Sequence, residues 1–274
     1  MNTKIAVLLT CHNRRDNTVK CIESLAQNPE NIDMRFVVTD DKSEDGTVDA
    51  LINMPYHIRV IEGNGNLYWG GGMRRSMAYA LDYADKFDYV LLVNDDVIFR
   101  ENAISDMLKR RSSTKCDVVV GATCDSKGKQ TYGGVEKTSD ITARFRLIPP
   151  SDEVVICDTF NCNCVLIPAD IFVSIGNLDE HYIHSMGDYD YGMMIRKRGY
   201  TIVSSSEYVG DCDDNDDSGT WRDVTLPRRR RIELKEGPKG LPAGDWFHFI
   251  RKNYGLMPAL YHSITPYIRI LIGK

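Results

Sequence analysis

The stretch "YVLLVNDDVIF", residues 89–99, sets Asn94, Asp95 and Asp96 in the middle of an apolar run. A strand buried in a core has no use for two adjacent carboxylates, because each unpaired charge withdrawn from water costs roughly several kcal/mol. Something cationic must meet them. Aspartate oxygens are hard ligands of the kind that hold Mg2+ or Mn2+, and two carboxylates are too few to cage such an ion alone. A metal bridging the protein to a diphosphate satisfies the demand. The competing reading is that the pair opens the next helix, whose dipole favours negative charge at that end.

Three other apolar runs end in the same polar way. "KIAVLL" (4–9) is followed by Thr10 to Arg14, "RFVV" (35–38) by "DDKSEDGT" (40–47), and "HIRVI" (57–61) by "NGN" (64–66). Between them Val19, Ile22, Leu25 and Ala26 recur at helical spacing with Asn17 as the expected cap, and Met73, Met77, Ala80, Leu81 and Ala84 form a second helical face. "YVLLV" (89–93), a short helix with Ile104, Met107 and Leu108, and "DVVVG" (117–121) continue the rhythm. Strand and helix in alternation predict an α/β fold with a Rossmann-like, mostly parallel central sheet flanked by helices. Ligands of such sheets bind beyond the carboxyl ends of the strands, so the four polar clusters collect on one edge. Ser43, Asp45 and Asn13 are singly ordinary caps and turn formers, but capping does not account for all four clusters.

The second half is less regular. "EVVICDTFNCNCVLIP" (153–168) reads as a strand pair, residues 168–175 as a short helix, and "GDYDYGMMIRKRG" (187–199) as a helix opened near Asp188 and ended by Gly199. "DCDDNDDSGTW" (211–221) is a loop by composition. Asp245 is the expected cap of "WFHFIRKNY", which Gly255 stops, and Pro258 and Pro266 are expected to break up the aromatic tail. The net charge of −5 has the wrong sign for a nucleic-acid binder. It is also unevenly spread: residues 222–274 carry eleven basic and four acidic side chains, a surplus of seven, which leaves −12 on residues 1–221. The eight cysteines, several in apolar runs with no leader-like segment ahead of them, read as reduced cytosolic thiols. Cys162, Cys164, His181 and His184 match no common zinc spacing.

Several of these segments resemble glycosyltransferase family 2, including its rhamnosyltransferase- and galactosyltransferase-like members. "VVTDDKSEDGT" is similar to its nucleotide-binding segment, "GNGNLYWGGGMRRSMAYA" to its Gly-rich segment, and "LLVNDDV" to its DXD-type motif. "IGNLDEHYIHSMGDYDYGMMIRKRGY" is similar to its Gly-x-x-Asp-Glu run with the acidic residues that follow. The resemblance runs from residue 4 to about 210 in family order. It implies a GT-A fold and inverting transfer of a sugar from a UDP- or dTDP-linked donor to a glycan or lipid-linked acceptor in surface polysaccharide synthesis. Carried over by position, Thr10, Asn13, Arg14, Asp40, Ser43, Asn66, Asn94 and Asp95 would line the nucleotide, with Asp40 on the base. Asp96 would hold Mn2+ or Mg2+ on the diphosphate, and Asp188 would be the catalytic base. Inversion fits these roles, since a carboxylate must take the acceptor hydroxyl's proton while cations stabilise the departing diphosphate.

Three positions depart from the family pattern. Asn94 stands first in the DXD-type motif, Gly187 precedes Asp188 where an acidic residue is usual, and Asp211 stands where a metal-assisting His is usual. A helix N-terminus would lower the Asp188 pKa unless burial or Asp190 opposes it. Asp211 is the candidate third ligand, or the residue that orders its loop over the diphosphate. Arg74, Arg75, Gly71, Asn163 and the Arg228 to Arg231 run are diphosphate-side candidates, Trp69 and Trp221 candidate sugar-stacking residues, and His184 a candidate near Asp188. The expected organisation is a catalytic domain over 1–221, with a nucleotide half (1–121) and an acceptor half (122–221), and a basic aromatic extension over 222–274. That extension suits either contact with an anionic membrane surface or packing onto the domain or a second copy. A metal-dependent nucleotidyltransferase and a non-catalytic nucleotide-sugar or glycan binder are the alternative functions. The first needs no base at Asp188 and the second shows no turnover.

Overall fold

The computed structural model describes residues 2–27, 31–214 and 217–273. The first part runs β1 (Thr3–Cys11), α1 (Arg15–Ala26), β2 (Ile32–Asp40), α2 (Thr47–Ile52), β3 (Ile58–Glu62), α3 (Tyr68–Asp82), β4 (Tyr89–Val93), β5 (Ile98–Phe99), α4 (Ala103–Thr114) and β6 (Val118–Cys124). It continues with β7 (Gln130–Tyr132), β8 (Gly134–Lys137), β9 (Phe145–Leu147), β10 (Thr159–Phe160), β11 (Cys164–Pro168), α5 (Ala169–Ile175), α6 (Gly187–Lys197) and β12 (Ile202–Asp211). Three helices close the chain: α7 (Arg228–Glu236), α8 (Ala243–Tyr254) and α9 (Leu256–Leu271).

The main sheet has the order β3-β2-β1-β4-β11-β6-β12-β5, with β7 paired to β6. Its pairs β3-β2, β2-β1, β1-β4 and β6-β12 are parallel, whereas β11 enters antiparallel between β4 and β6. A strand covered on both faces needs apolar residues at every position, and β1 has them. Ile5, Val7 and Leu9 face a core shared with α1, α2 and α4, while Ala6 and Leu8 face one shared with α3, α5 and α6. Strands β10, β8 and β9 form a separate small antiparallel sheet.

Several local expectations give way to tertiary structure. Helix α1 begins at Arg15, so Asn17 lies inside its first turn. The Asp45 carboxylate, arriving from the loop after β2, accepts the Arg15 N–H at 2.9 Å and does the capping from a distance. The strand pair expected over 153–168 splits: β10 joins the small sheet and β11 the large one, while Val154 and Ile156 stay exposed. Asp245 is a buried first-turn residue of α8 rather than its cap, which is Pro242. All eight cysteines are buried and free, and Cys162 and Cys164 face different cores, which rules out their sharing a metal.

The prolines do not break the tail. Pro258 sits in the first turn of α9, where a missing N–H leaves nothing unbonded. Pro266 lies inside the helix and deprives the His262 carbonyl of its usual donor. That carbonyl accepts the Trp246 indole N–H and the Thr265 hydroxyl instead, each at 3.0 Å. Helices α8 and α9 share a core with α6, formed by Phe249, Ile250, Ala259, Met193 and Tyr182. Polar contacts reinforce it: buried Asp190 on α6 accepts from Lys252 at 2.6 Å and Asn253 at 2.9 Å, both on α8.

Candidate active site

The carboxyl ends of β1, β2 and β4 and the first turns of α3 and α6 meet along one edge. The loops there are laced together by short-range chemistry. The Asn13 N–H donates to the Ser43 hydroxyl at 2.8 Å, and Asn13 Oδ1 accepts the Glu44 N–H at 2.7 Å, which ties the β1 loop to the β2 loop. Buried Asp40 accepts the Ser43 N–H at 2.9 Å, and exposed Asn66 is held by Asn64. Among the described residues, four of the six non-glycine positions with positive φ lie on these loops or at the helix starts they feed: Asn13, Lys42, Tyr68 and Met186. Backbone of this kind costs about 1–3 kcal/mol per residue and persists where surrounding contacts hold it, commonly at sites of function.

Asp41, one of the polar cluster after β2 but not among the residues expected on the nucleotide, organises the Gly-rich segment. Its carboxylate accepts the N–H groups of Gly65, Leu67 and Tyr68 at 2.7, 2.8 and 3.2 Å, fixing the entry into α3. The glycines that follow are packing requirements. A Cβ at Gly72 would come within 2.8 Å of Thr10 Cβ on β1, and one at Gly70 within 2.6 Å of the Tyr182 carbonyl; at Gly71 it would crowd Leu67. Helix α3 is thereby pressed between β1 and the loop that leads to α6.

The cation that meets the two aspartates is Arg14. Its guanidinium lies 3.2 Å from Asp95 and 2.9 Å from Asp96. Burial raises the Asp95 carboxyl to about 7, with Arg14 opposing and Asp96 reinforcing the shift, and Thr18 also donates to it. Asp96 is partly exposed at the edge and has the Cys212 thiol 3.6 Å away. That thiol is pushed up to about 12, chiefly by burial and then by Asp96, so it stays protonated and donates. Asp211 does not reach the pair: it binds Arg100 at 3.0 Å and lies beside Cys124. Asn163 is buried with its amide on Cys212, and its carbonyl accepts the Asn94 N–H.

Asn94, the departure in the DXD-type motif, has a specific partner. Its Oδ1 accepts the Trp69 indole N–H at 2.9 Å, and the Trp69 ring lies against the start of α6 at Gly187. Trp69 thus links the Asp95–Asp96 end of the site to the first turn of α6, which carries Asp188. Met186, in the left-handed region, turns the chain into α6 and places Asp188 in its first turn. The Asp188 carboxylate accepts N–H groups of Tyr189, at 2.8 Å, and Cys162, and the Asn161 side chain. Burial outweighs these bonds and raises the group to about 6. Asp190, engaged by Lys252 and Asn253, is not what opposes the helix dipole.

Other candidates fall outside this cluster. Arg74 donates to the carbonyls of Asp179 and Tyr182, and Arg75 to that of Glu62, so both hold backbone. Arg231 is buried and donates to the Trp221 carbonyl, whereas Arg228 to Arg230 are exposed on α7. The Trp221 ring lies under the Arg222 guanidinium, whose charge reaches Tyr189. His184 is half-buried with an unpartnered Nδ1, and burial and then Lys239 favour its neutral form. Among the described residues, no three His, Cys, Asp or Glu side chains converge into a preformed metal cage. Asn163 is among the residues expected from the sequence, whereas Asn161 and Cys212 could have been sought there as polar residues following β10 and β12.

The sequence matches the model of the family described as Glycosyl transferase family 2 over residues 6–161. No curated protein sequence matches the chain. Among solved structures, residues 1–349 of S. aureus TarS superpose with a TM-score of 0.57 at 16% identity, covering 98% of this chain and 81% of that one. The same TarS fragment solved in complex with UDP-GlcNAc gives 0.57 at 15% identity over the same shares. The mannosyltransferase PcManGT from Pyrobaculum calidifontis, solved with GDP-Man and Mn2+, gives 0.57 at 12% identity, covering 99% of this chain and 75% of that one. With the family model spanning more than half of its length and a curled, mainly parallel GT-A sheet beneath the site, the chain belongs to glycosyl transferase family 2 and is a glycosyltransferase.

Proposed function

We propose that the protein inverts the anomeric centre of a UDP- or dTDP-linked sugar as it passes it to a glycan or lipid-linked acceptor of a surface polysaccharide, with Asp188 as the base. The observation that carries this reading is the placement of Asp188. It is a carboxylate poised near 6, next to Gly187, on which Trp69 packs while bonding Asn94 at the end of β4 that carries Asp95 and Asp96. A base of that strength is ionised at neutral pH and still accepts a proton from a hydroxyl as that hydroxyl becomes acidic in the transition state. The acceptor oxygen forms a bond to the anomeric carbon, the bond from that carbon to the diphosphate breaks, and the proton goes to Asp188.

The residues present fit a divalent ion. Mg2+ and Mn2+ sites on nucleotides need one or two carboxylates plus phosphate oxygens, and Asp96 is partly exposed at the right edge with Asp95 behind it. Asp96 would hold the ion, which supplies positive charge to the departing diphosphate. Arg14, already on both carboxylates, is the protein's own cation there. Asn13, Asp40 and Ser43 would receive the nucleoside, and Trp69 and Trp221 would offer faces to sugar. Support for a nucleotide-sugar donor comes from the family and from neighbours solved with UDP-GlcNAc and with GDP-Man and Mn2+.

The test is a donor screen. UDP-, dTDP- and GDP-linked sugars are incubated with Mn2+ or with chelator, and nucleotide release and product configuration are followed by NMR. Release of a nucleoside diphosphate with inverted product supports the reading. Retained configuration, or pyrophosphate as the product, overturns it.

A further inference from the structure

Helix α9 is apolar on two opposite faces. Ala259, Pro266 and Ile270 are buried inward, while Met257, Leu260, Tyr261, Ile264, Ile268 and Leu271 point outward with 48–75% of their surface exposed. At the α-helical repeat these six outward residues fall within an arc of about 100°, the width of stripe that a surface helix normally turns to a core. Exposed apolar surface arranged in this way marks a place of contact.

The charge around the stripe identifies its partner. Helix α9 contains no carboxylate, and its Arg269 and the neighbouring Arg251 on α8 are exposed. Helix α7 packs on α9 through Tyr267, whose ring lies 4.2 Å from the Lys235 ammonium and whose hydroxyl bonds Glu236. Its first turn carries exposed Arg228, Arg229 and Arg230. The stripe therefore belongs to the segment with a surplus of seven positive charges, in a chain that is negative elsewhere. A second copy meeting this face about a two-fold axis would set two such segments against each other. An anionic surface would be complementary. Spanning is not the mode, since no described helix is long and apolar enough to cross a membrane.

We propose that α9 lies flat in the headgroup region of an anionic lipid bilayer, its outward stripe immersed and the arginines of α7, α8 and α9 on lipid phosphates. The helix is not a loose tether. Helix α8 shares its core and holds Asp190 through Lys252 and Asn253, two residues beyond Asp188, so docking fixes the orientation of α6 as well.

The experiment is co-sedimentation of the full chain with two kinds of vesicle, phosphatidylcholine alone and phosphatidylcholine with about one third phosphatidylglycerol. The expected result is capture by the anionic vesicles and little by the neutral ones. Ile264→Glu with Ile268→Glu should reduce capture about tenfold or more, as should Arg228→Glu with Arg229→Glu, which leaves α9 untouched. Both pairs are exposed, so circular dichroism and melting should match the parent. Capture of neither vesicle, or undiminished capture of both variants, overturns the proposal. So does light scattering that shows a dimer which the Ile264/Ile268 variant dissociates, because the stripe would then belong to a second copy.

Discussion

Asp188→Asn is the substitution that separates chemistry from donor binding. Asparagine keeps an acceptor oxygen for the Tyr189 N–H and nearly the same volume, but cannot take a proton. Loss of a general base typically lowers turnover by about 10² to 10⁴, or about 3–5 kcal/mol of transition-state stabilisation. The parent enzyme carries a second signature. With the folded group raised to about 6, the ionised, active form is lost as pH falls through that value. kcat/KM should therefore fall about tenfold between about pH 8 and about pH 5, whereas an ordinary aspartate would lose less than about a tenth over that span. Nucleotide release with saturating acceptor measures both, and nucleotide affinity of the variant should be unchanged. A flat profile over that range, or an Asp188→Asn enzyme within tenfold of the parent, would refute the assignment of the base.

Three further outcomes follow from contacts around the site. Gly72→Ala drives a methyl group into Thr10, and the displacement of α3 from β1 should cost about 1–3 kcal/mol, read as a lowered Tm and weaker nucleotide binding. Lys252→Met removes the ammonium that buried Asp190 shares with Asp179, and should destabilise by about 3 kcal/mol, seen in urea unfolding as a lower midpoint at unchanged slope. Asp211→Ala breaks an exposed pair with Arg100, so stability should change by no more than about 1 kcal/mol and the Mn2+ dependence of activity should persist. Loss of the metal response in that variant would instead make Asp211 a ligand.

Much of the fold was readable because parallel strands buried on both faces must be apolar throughout, and "KIAVLL" and "YVLLV" leave few other solutions. The collection of polar residues on one edge followed from topology alone. What the sequence concealed were contacts between residues distant in the chain. Asp45 caps α1 from 30 positions away, and Arg14 reaches Asp96 across 82. Asp41 holds three backbone N–H groups of the Gly-rich entry, 24 to 27 positions further along the chain. The cost of Pro266 depends on whether the orphaned His262 carbonyl finds another donor, and Trp246 supplies one from a separate helix. The raised pKa of Asp188 was likewise a contest between dipole and burial that only packing decides.

The most direct measurement is a thermal-shift titration of UDP, dTDP, GDP and CDP, each with and without Mn2+, on the parent and on Asp96→Asn. A ligand at about a hundred times its Kd stabilises the native state by about 2.7 kcal/mol, enough to move the melt by several degrees. One nucleoside diphosphate should raise the Tm of the parent with Mn2+ and lose that metal-dependent increment in Asp96→Asn. A melt unmoved by all four nucleotides, with or without the metal, would contradict a donor site at the Asp95–Asp96 edge.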